Sequence, residues 1–365
     1  MDDESRQTSN DGATFVLLDF PVGSEFGIDF NVYRVAENFR GVKTIPCGPH
    51  FIYYSTVSTH DSTVGPRSGF FYNFTSGEFV VKKWNKFNED IDDREVKEEE
   101  IERLRLNLHD TLDRCLAPYP FENYKKWIGL TDYISKQVLT ALNPVCGKIN
   151  SVSELIPEQY PTSNEVATSS LSVSSNPEEL LPKIERDPNS AIRFLEIPKH
   201  KHPFGATASE ITKHNIDSTF ILEQIMSQSS DTNYVLGELQ FAFIAFVVGQ
   251  VFDAFERWKL LLRTFCTSDA AIGKYANMYK NLIRVLYFQL QEVPTDLFVD
   301  IVEKDNFLTV NLYDFFSNVQ SNESIDHTLR TRVDRFKRYV TNKFKWNFDE
   351  EPEDEAPVVV TDDNS

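Results

Sequence analysis

The sequence predicts a multidomain fold: a mainly β N-terminal domain, β-sandwich-like with some helix, followed by an all-helical C-terminal domain. Three observations predict it. Short runs of β-branched and aromatic residues, punctuated by Gly, Pro and Asn, fill residues 13–84. Apolar residues at helical spacing dominate residues 205–346. The 365 residues also exceed what one ordinary domain holds. With 41% hydrophobic and 13% aromatic residues, the chain is too apolar to stay unfolded throughout.

In the N-terminal part, residues 14–20, 27–35, 50–55, 69–74 and 78–84 read as strands. The last two flank Thr75-Ser76-Gly77, whose Gly suits a positive φ, so a hairpin is expected there. Alternation through Phe79, Val80, Val81 and Lys82 predicts one face in the core and one in water. Near Asn88 the composition turns acidic. Val96, Ile101, Leu104, Leu108 and Leu112 then trace one helical face, with the acids toward its N-terminus, where the helix dipole favours them. A second helical piece, 131–142, stops before Asn143-Pro144, because proline turns the preceding residue away from helix. The β-rich domain with this helical extension is assigned to 13–150.

Residues 151–204 hold no sustained period, and 163–175 are largely Ser, Thr, Asn and small residues, so this stretch is expected to be a flexible linker. The helical domain, 205–346, opens at Thr207-Ala208-Ser209-Glu210, a capping box in which Thr207 and Glu210 each satisfy a free backbone N–H. Helices are expected at 234–248, 251–265, 270–289, 295–303, 308–319 and 325–344. In the last, Ile325, Leu329, Val333, Phe336, Val340 and Phe344 form one apolar stripe beside a basic surface. The period is not a strict heptad, so a compact helical stack fits better than a coiled coil. Residues 347–365 form an acidic tail. Within it, 356–361 is a candidate pairing strand, and Pro357, Val358, Val359, Val360 and Thr361 are the candidate partner-binding residues, since consecutive valines favour strand addition to a partner's sheet edge.

Charge and motifs limit the function. The formal net charge is -19, and an acidic chain repels a phosphate backbone, so direct nucleic-acid binding is not expected. Cys47, Cys115, Cys146 and Cys266 lack CxxC spacing, which suits a reducing compartment and gives no zinc set. The opening MDDESRQTSNDG lacks the cationic start and apolar run of a secretion signal. The apolar run 241–252 is too short to span a membrane and reads as a buried core helix. Phosphate-binding GxxxxGK[ST] and GxGxxG loops and the GxSxG elbow are absent. His200 and His202 have no third ligand nearby. Cys47 with His50, and the carboxylates Asp19, Glu25 and Asp29, are the nearest approaches to catalytic groupings, and turn positions explain them better. Tyr53, Tyr54, Phe70, Phe71 and Tyr72 lack the interleaved Arg and Lys of a base-stacking platform and read as core pairs. No cofactor or metal is expected, and the chain reads as a binding protein that is not an enzyme.

Several segments together resemble the Aar-two splicing factor family, the a1-alpha2 repression proteins. They are Gly12-Ala13-Thr14-Phe15-Val16-Leu17-Leu18, Gly23-Ser24-Glu25-Phe26-Gly27-Ile28-Asp29, Phe39-Arg40-Gly41-Val42-Lys43-Thr44-Ile45-Pro46 and Gly48-Pro49-His50-Phe51-Ile52-Tyr53-Tyr54-Ser55. The helical half adds Gly237-Glu238-Leu239-Gln240-Phe241-Ala242-Phe243 and Phe255-Glu256-Arg257-Trp258-Lys259, and the tail adds Ala356-Pro357-Val358-Val359-Val360. Cys47 stands where a second proline is expected, and 151–199 matches nothing. The resemblance implies a C-terminal domain similar to VHS domains and a role in assembling the U5 small nuclear ribonucleoprotein. The implied partner is the central spliceosomal scaffold protein, engaged through its RNase H-like and Jab/MPN domains, with premature helicase and RNA binding sterically blocked. The resemblance further implies a cytoplasmic precursor particle that matures in the nucleus, so the protein is expected in both compartments, as a monomer before complex formation. A VHS-like helical stack alone also fits an adaptor in membrane trafficking. A third reading, a hydrolase using the acids of the β domain, requires a pocket with perturbed carboxylates.

Overall fold

The computed structural model describes residues 12–58, 61–92, 96–107, 112–153, 155–157, 184–294 and 307–349. The strands of the N-terminal region are β1 (Ala13–Leu18), β2 (Glu25–Ile28), β3 (Asn31–Arg34), β4 (Gly41–Ile45), β5 (Gly48–Ser55), β6 (Ser68–Phe74), β7 (Phe79–Asn85), β8 (Asp90–Ile91), β9 (Leu116–Pro118) and β10 (Ile149–Asn150). They form two five-stranded sheets, ordered β8-β7-β1-β4-β9 and β10-β6-β5-β2-β3. Phe15, Phe26, Ile52, Tyr54, Phe70, Phe74 and Trp84 close the sandwich between them. Farther along the chain, β11 (Leu155–Pro157) and β12 (Ile184–Arg186) pair with each other.

Three expectations for the β region change. Residues 27–35 are not one strand: β2 and β3 form a hairpin, reversed where Asp29 adopts φ 56. Thr75-Ser76-Gly77 does not close a hairpin either. Strand β6 lies in one sheet, while β7 crosses to the other and runs parallel to β1. The corner is held by Glu78, whose carboxylate accepts from the Tyr72 hydroxyl at 2.5 Å and the Thr75 backbone N–H at 2.8 Å. A crossing element buries both faces: Val80 joins the sandwich core, while Val81 faces outward into a small cluster with Val16, Leu112 and Leu116. Val96, Ile101 and Leu104 cover that cluster, the last two from helix α1 (Glu98–Leu106), so the second face of β7 is not in water. Helix α1 covers Glu98–Leu106 of the run predicted through Leu112, Leu108 lying outside the described residues, and its acids Glu98, Glu99 and Glu100 occupy the first turn as the dipole favours. The strand β4 was not anticipated.

Helix α2 (Tyr124–Thr131) lies almost wholly before the helix expected at 131–142, which forms only as α3 (Lys136–Leu142), started where the Ser135 side chain caps it. It ends at Leu142 as the following Asn-Pro predicts.

The helical region holds α4 (Ala208–Ile216), α5 (Thr219–Met226), α6 (Tyr234–Val247), α7 (Phe252–Cys266), α8 (Asp269–Lys274), α9 (Ala276–Glu292), α10 (Phe307–Ser321) and α11 (His327–Phe344). The capping box is formed: Thr207 Oγ1 accepts from Glu210 N and Glu210 accepts from Thr207 N. Helix α5 has no counterpart among the helices expected from the sequence, and the single helix expected at 270–289 breaks at Tyr275, where ψ reaches 41°. The helix expected at 295–303 lies outside the described residues. Of the 241–252 run, 241–245 are buried within α6, whereas Gln250 and Phe252, the latter at the start of α7, are exposed, and no helix among the described residues is long and apolar enough to cross a membrane.

The two regions share a core. Along β5, Ile52 and Tyr54 face the sandwich while Phe51 and Tyr53 face the helices, so alternate residues of one strand build two cores. Phe71 of β6 meets Phe241 of α6 with ring centroids 4.5 Å apart. Trp127, Leu130, Val138 and Leu142 of α2 and α3 complete that interface.

Candidate partner-binding surface

The candidate residues Pro357, Val358, Val359, Val360 and Thr361 lie outside the described residues. Within them, the groupings that most resemble chemistry are structural. Asp29 and His50 are each 1% exposed. The Asp29 carboxylate meets His50 Nδ1 at 2.7 Å, accepts from the Tyr119 hydroxyl at 2.6 Å and takes the Phe51 backbone N–H at 3.0 Å. His50 Nε2 sits 3.0 Å from the Pro46 carbonyl. Both ring nitrogens of this imidazole are engaged by oxygens inside the core, so neither is directed at a nucleophile, and Cys47 is exposed at the surface instead. Burial, then the Asp29 charge, drives the Tyr119 hydroxyl far above its ordinary pKa, so it remains a donor at every physiological pH.

The three carboxylates do not converge. Asp29 is buried, Glu25 is half-buried on β2, and Asp19 lines an open cavity of about 860 Å³ with Glu37, Glu89, Arg40, Lys86 and Trp84. His200 and His202 lie with ring centroids 6.5 Å apart, and among the described residues no group of three His, Cys, Asp or Glu is arranged to hold a metal. No disulfide joins the four cysteines, two of which are exposed.

The two helical motifs acquire definite work in the packing. Glu238, 0% exposed, accepts from Arg257 Nε at 2.5 Å, and Arg257 reaches on to the Leu195 carbonyl at 2.8 Å. Burial pushes the Glu238 carboxyl up and the Arg257 guanidinium pulls it back down. The pair pins the chain around Phe194 and Leu195 onto the helical core. Gln240 accepts the Tyr133 N–H at 2.8 Å and donates to Asp132 at 2.8 Å, tying α6 to the turn between α2 and α3. The same Asp132 binds Arg284 of α9, and its carboxyl is raised by burial. Trp258 donates to Gln289 at 2.9 Å, an inner hydrogen bond that the spacing of the sequence does not reveal. Arg67 joins the two regions directly: it donates to the Val248 carbonyl at 2.6 Å and lies 4.4 Å over the Tyr53 ring.

With these groups consumed inside, the surface offers shape and charge. Helix α11 presents Arg332, Arg335 and Arg338 to solvent, with Lys337 at its flank. Its C-terminal end leads into Trp346, Phe348 and Asp349, so the basic helix and the root of the acidic tail lie together. Phe204 and Phe87 are fully exposed apolar side chains on loops.

The family model for the AAR2 N-terminal domain matches residues 11–144, and that for the AAR2 C-terminal repeat region matches residues 194–349. Among curated relatives, the Protein AAR2 homolog of Mus musculus is 44% identical over 372 residues, covering 99% of this chain and 96% of its own length. The Protein AAR2 homolog of Caenorhabditis elegans is 36% identical, over 92% of this chain and 95% of its own length. The A1 cistron-splicing factor AAR2 of Saccharomyces cerevisiae is 24% identical over 81% of each chain. Matches of this extent span both the sandwich and the helical region, and the chain belongs to the AAR2 family.

Proposed function

We propose that the protein is a splicing factor that works by occupying protein surface, as an assembly chaperone of the U5 small nuclear ribonucleoprotein, and not by catalysis. The observation that carries this reading is family membership over both regions, which includes a relative named a splicing factor. In this reading the partner is the central spliceosomal scaffold protein, bound at its RNase H-like and Jab/MPN domains. A -19 chain on that scaffold repels RNA and excludes a helicase by bulk. The sandwich and the helices, sharing one core, present a broad fixed surface, and residues 357–361 add a strand to a scaffold sheet edge through main-chain hydrogen bonds. The protein acts on a cytoplasmic precursor, leaves in the nucleus, and is monomeric before it binds.

Two measurements test this. Mass spectrometry of proteins co-purifying with the chain from cytoplasm should return U5 components; vesicle proteins in their place would favour a trafficking adaptor. Deleting residues 356–365 should weaken affinity for the scaffold's C-terminal domains by at least tenfold while leaving thermal unfolding unchanged. Unaltered affinity removes strand addition.

A further inference from the structure

Helix α11 carries six cations, Arg330, Arg332, Arg335, Lys337, Arg338 and Lys343, against one acid, Asp334. The groups they meet are mostly neutral. Arg330 donates to the carbonyls of Ile325, Gln320 and Asn322, and Lys343 to those of Leu290, Gln291 and Val293. Among the described residues, no carboxylate pairs with Arg332 or Arg335. Carbonyl hydrogen bonds leave a cation's charge uncancelled, so α11 is positive around its non-core side on an otherwise acidic molecule, with Arg330 and Lys337 forming a strip along one edge.

The chain itself folds back onto the strip. Lys345 takes a left-handed φ of 62°, Trp346 stacks on Phe344 at 4.3 Å, and Phe348, 5% exposed, sits edge-on to Phe316 at 5.0 Å. Lys337 Nζ then donates to the Phe348 carbonyl at 3.2 Å and to the Asp349 carboxylate at 2.8 Å. Ahead lies a groove of about 270 Å³ between α10 and α11. Phe316, Val319 and Val333 line it together with the cations Lys337 and Arg330 and the one acid Asp334. Residues seven apart on a helix lie on the same side about 10 Å apart. An extended chain advances about 3.3 Å per residue, so three or four residues beyond Asp349 reach from Lys337 to Arg330. Those residues are Glu350, Glu351, Pro352 and Glu353, followed by Asp354 and Glu355.

We propose that the acidic segment 350–355 docks in this groove, with its carboxylates on Lys337 and Arg330, and so holds the adjoining valines 358–360 against the helical region until a partner draws them off. The docking stands on charge, reach, the seated Phe348 and the ion pair of the exposed Asp349 with Lys337; the holding role rests on the strand-addition reading above. A covalently attached segment competes at high effective concentration, which suits a contact that is weak and reversible.

Nitrogen-15 relaxation of the full chain tests it. At low salt the amides of 350–355 should give positive heteronuclear NOEs, set apart from the negative values of 362–365. They should fall to those values in 1 M NaCl and in Lys337→Glu. The tail-side variant Glu350→Lys/Glu351→Lys, which alters no described contact of the fold, should release the segment equally, and combining it with Lys337→Glu should restore the NOEs. If 350–355 relaxes like 362–365 in the native chain, or ignores both variants, the docking is wrong. Scaffold affinity is measured beside it. Release by Lys337→Glu should tighten binding several-fold, and no tightening removes the holding role. Loss of affinity on deleting 356–365 with 350–355 undocked would sink the groove alone and leave strand addition standing. Docking with a neutral deletion would do the reverse.

Discussion

Asp29 shows how one residue can look catalytic and be structural. Its backbone turns the β2–β3 hairpin in a left-handed conformation, and its carboxylate bonds His50 Nδ1, the Phe51 N–H and the Tyr119 hydroxyl, from β5 and the loop after β9. Removing one donor leaves a buried acceptor short, so Tyr119→Phe should cost about 1–3 kcal/mol in chemical denaturation without a change in m-value. The Glu238–Arg257 pair follows the same logic at higher stakes. Arg257→Met strands a buried carboxylate and should lose about 3–5 kcal/mol, whereas the double variant Glu238→Gln/Arg257→Met should recover a large part of that loss. Equal destabilisation in the single and double variants would contradict this account of the motif. The residues Glu238, Gln240, Arg257 and Trp258 are legible as a motif, but their work is not: each partner lies in another element, 19 or more residues away.

At the scale of elements, helix α11 is placed by its start as much as by its stripe. Asp326 accepts the Leu329 N–H at 2.7 Å as N-cap and pairs with Lys280 of α9 at 2.9 Å. The hydrogen bond from Lys280, then that from Leu329, holds the Asp326 carboxyl below its ordinary 3.8. A depressed carboxyl stabilises above its unfolded pKa and loses that contribution as pH falls through its folded value. The stability gap between the native chain and Asp326→Asn should therefore be constant near neutrality and close below about pH 4, measured by urea unfolding across pH. Glycines set the distances between elements. A Cβ at Gly129 of α2 would lie 2.6 Å from the Phe288 ring of α9, and one at Gly237 of α6 2.4 Å from the Tyr133 carbonyl. Overpacking against backbone is the harder to relieve, so Gly237→Ala should cost more than Gly129→Ala, the former about 1–3 kcal/mol.

The whole molecule is layered: helix α1, the first sheet, the second sheet, then the helices. The second sheet is covered on both faces, which explains why every residue of β5 from His50 to Ser55 is buried. Because Phe51, Tyr53 and Phe71 belong to the helical core, the two regions should unfold together. Phe241→Ala, removing the ring that meets Phe71, should cost about 3–5 kcal/mol and shift the transitions of β and helical signals by the same amount. Separate transitions would show that the shared core does not couple them.

The sequence by itself determined the division into β-rich and helical regions, the capping box at Thr207, the apolar stripe of α11, the stop at Asn143 and the acidity of the tail. These depend on residues near one another in the chain, where periodicity, propensity and caps act. Tertiary structure alone decided that β6 and β7 part company at a corner, that 27–35 folds into a hairpin, that Asp29 and His50 hydrogen-bond each other in the core, and that alternate residues of β5 serve two cores. Those outcomes turn on which distant surface covers each face, and burial is a property of the assembled fold, which local sequence does not encode.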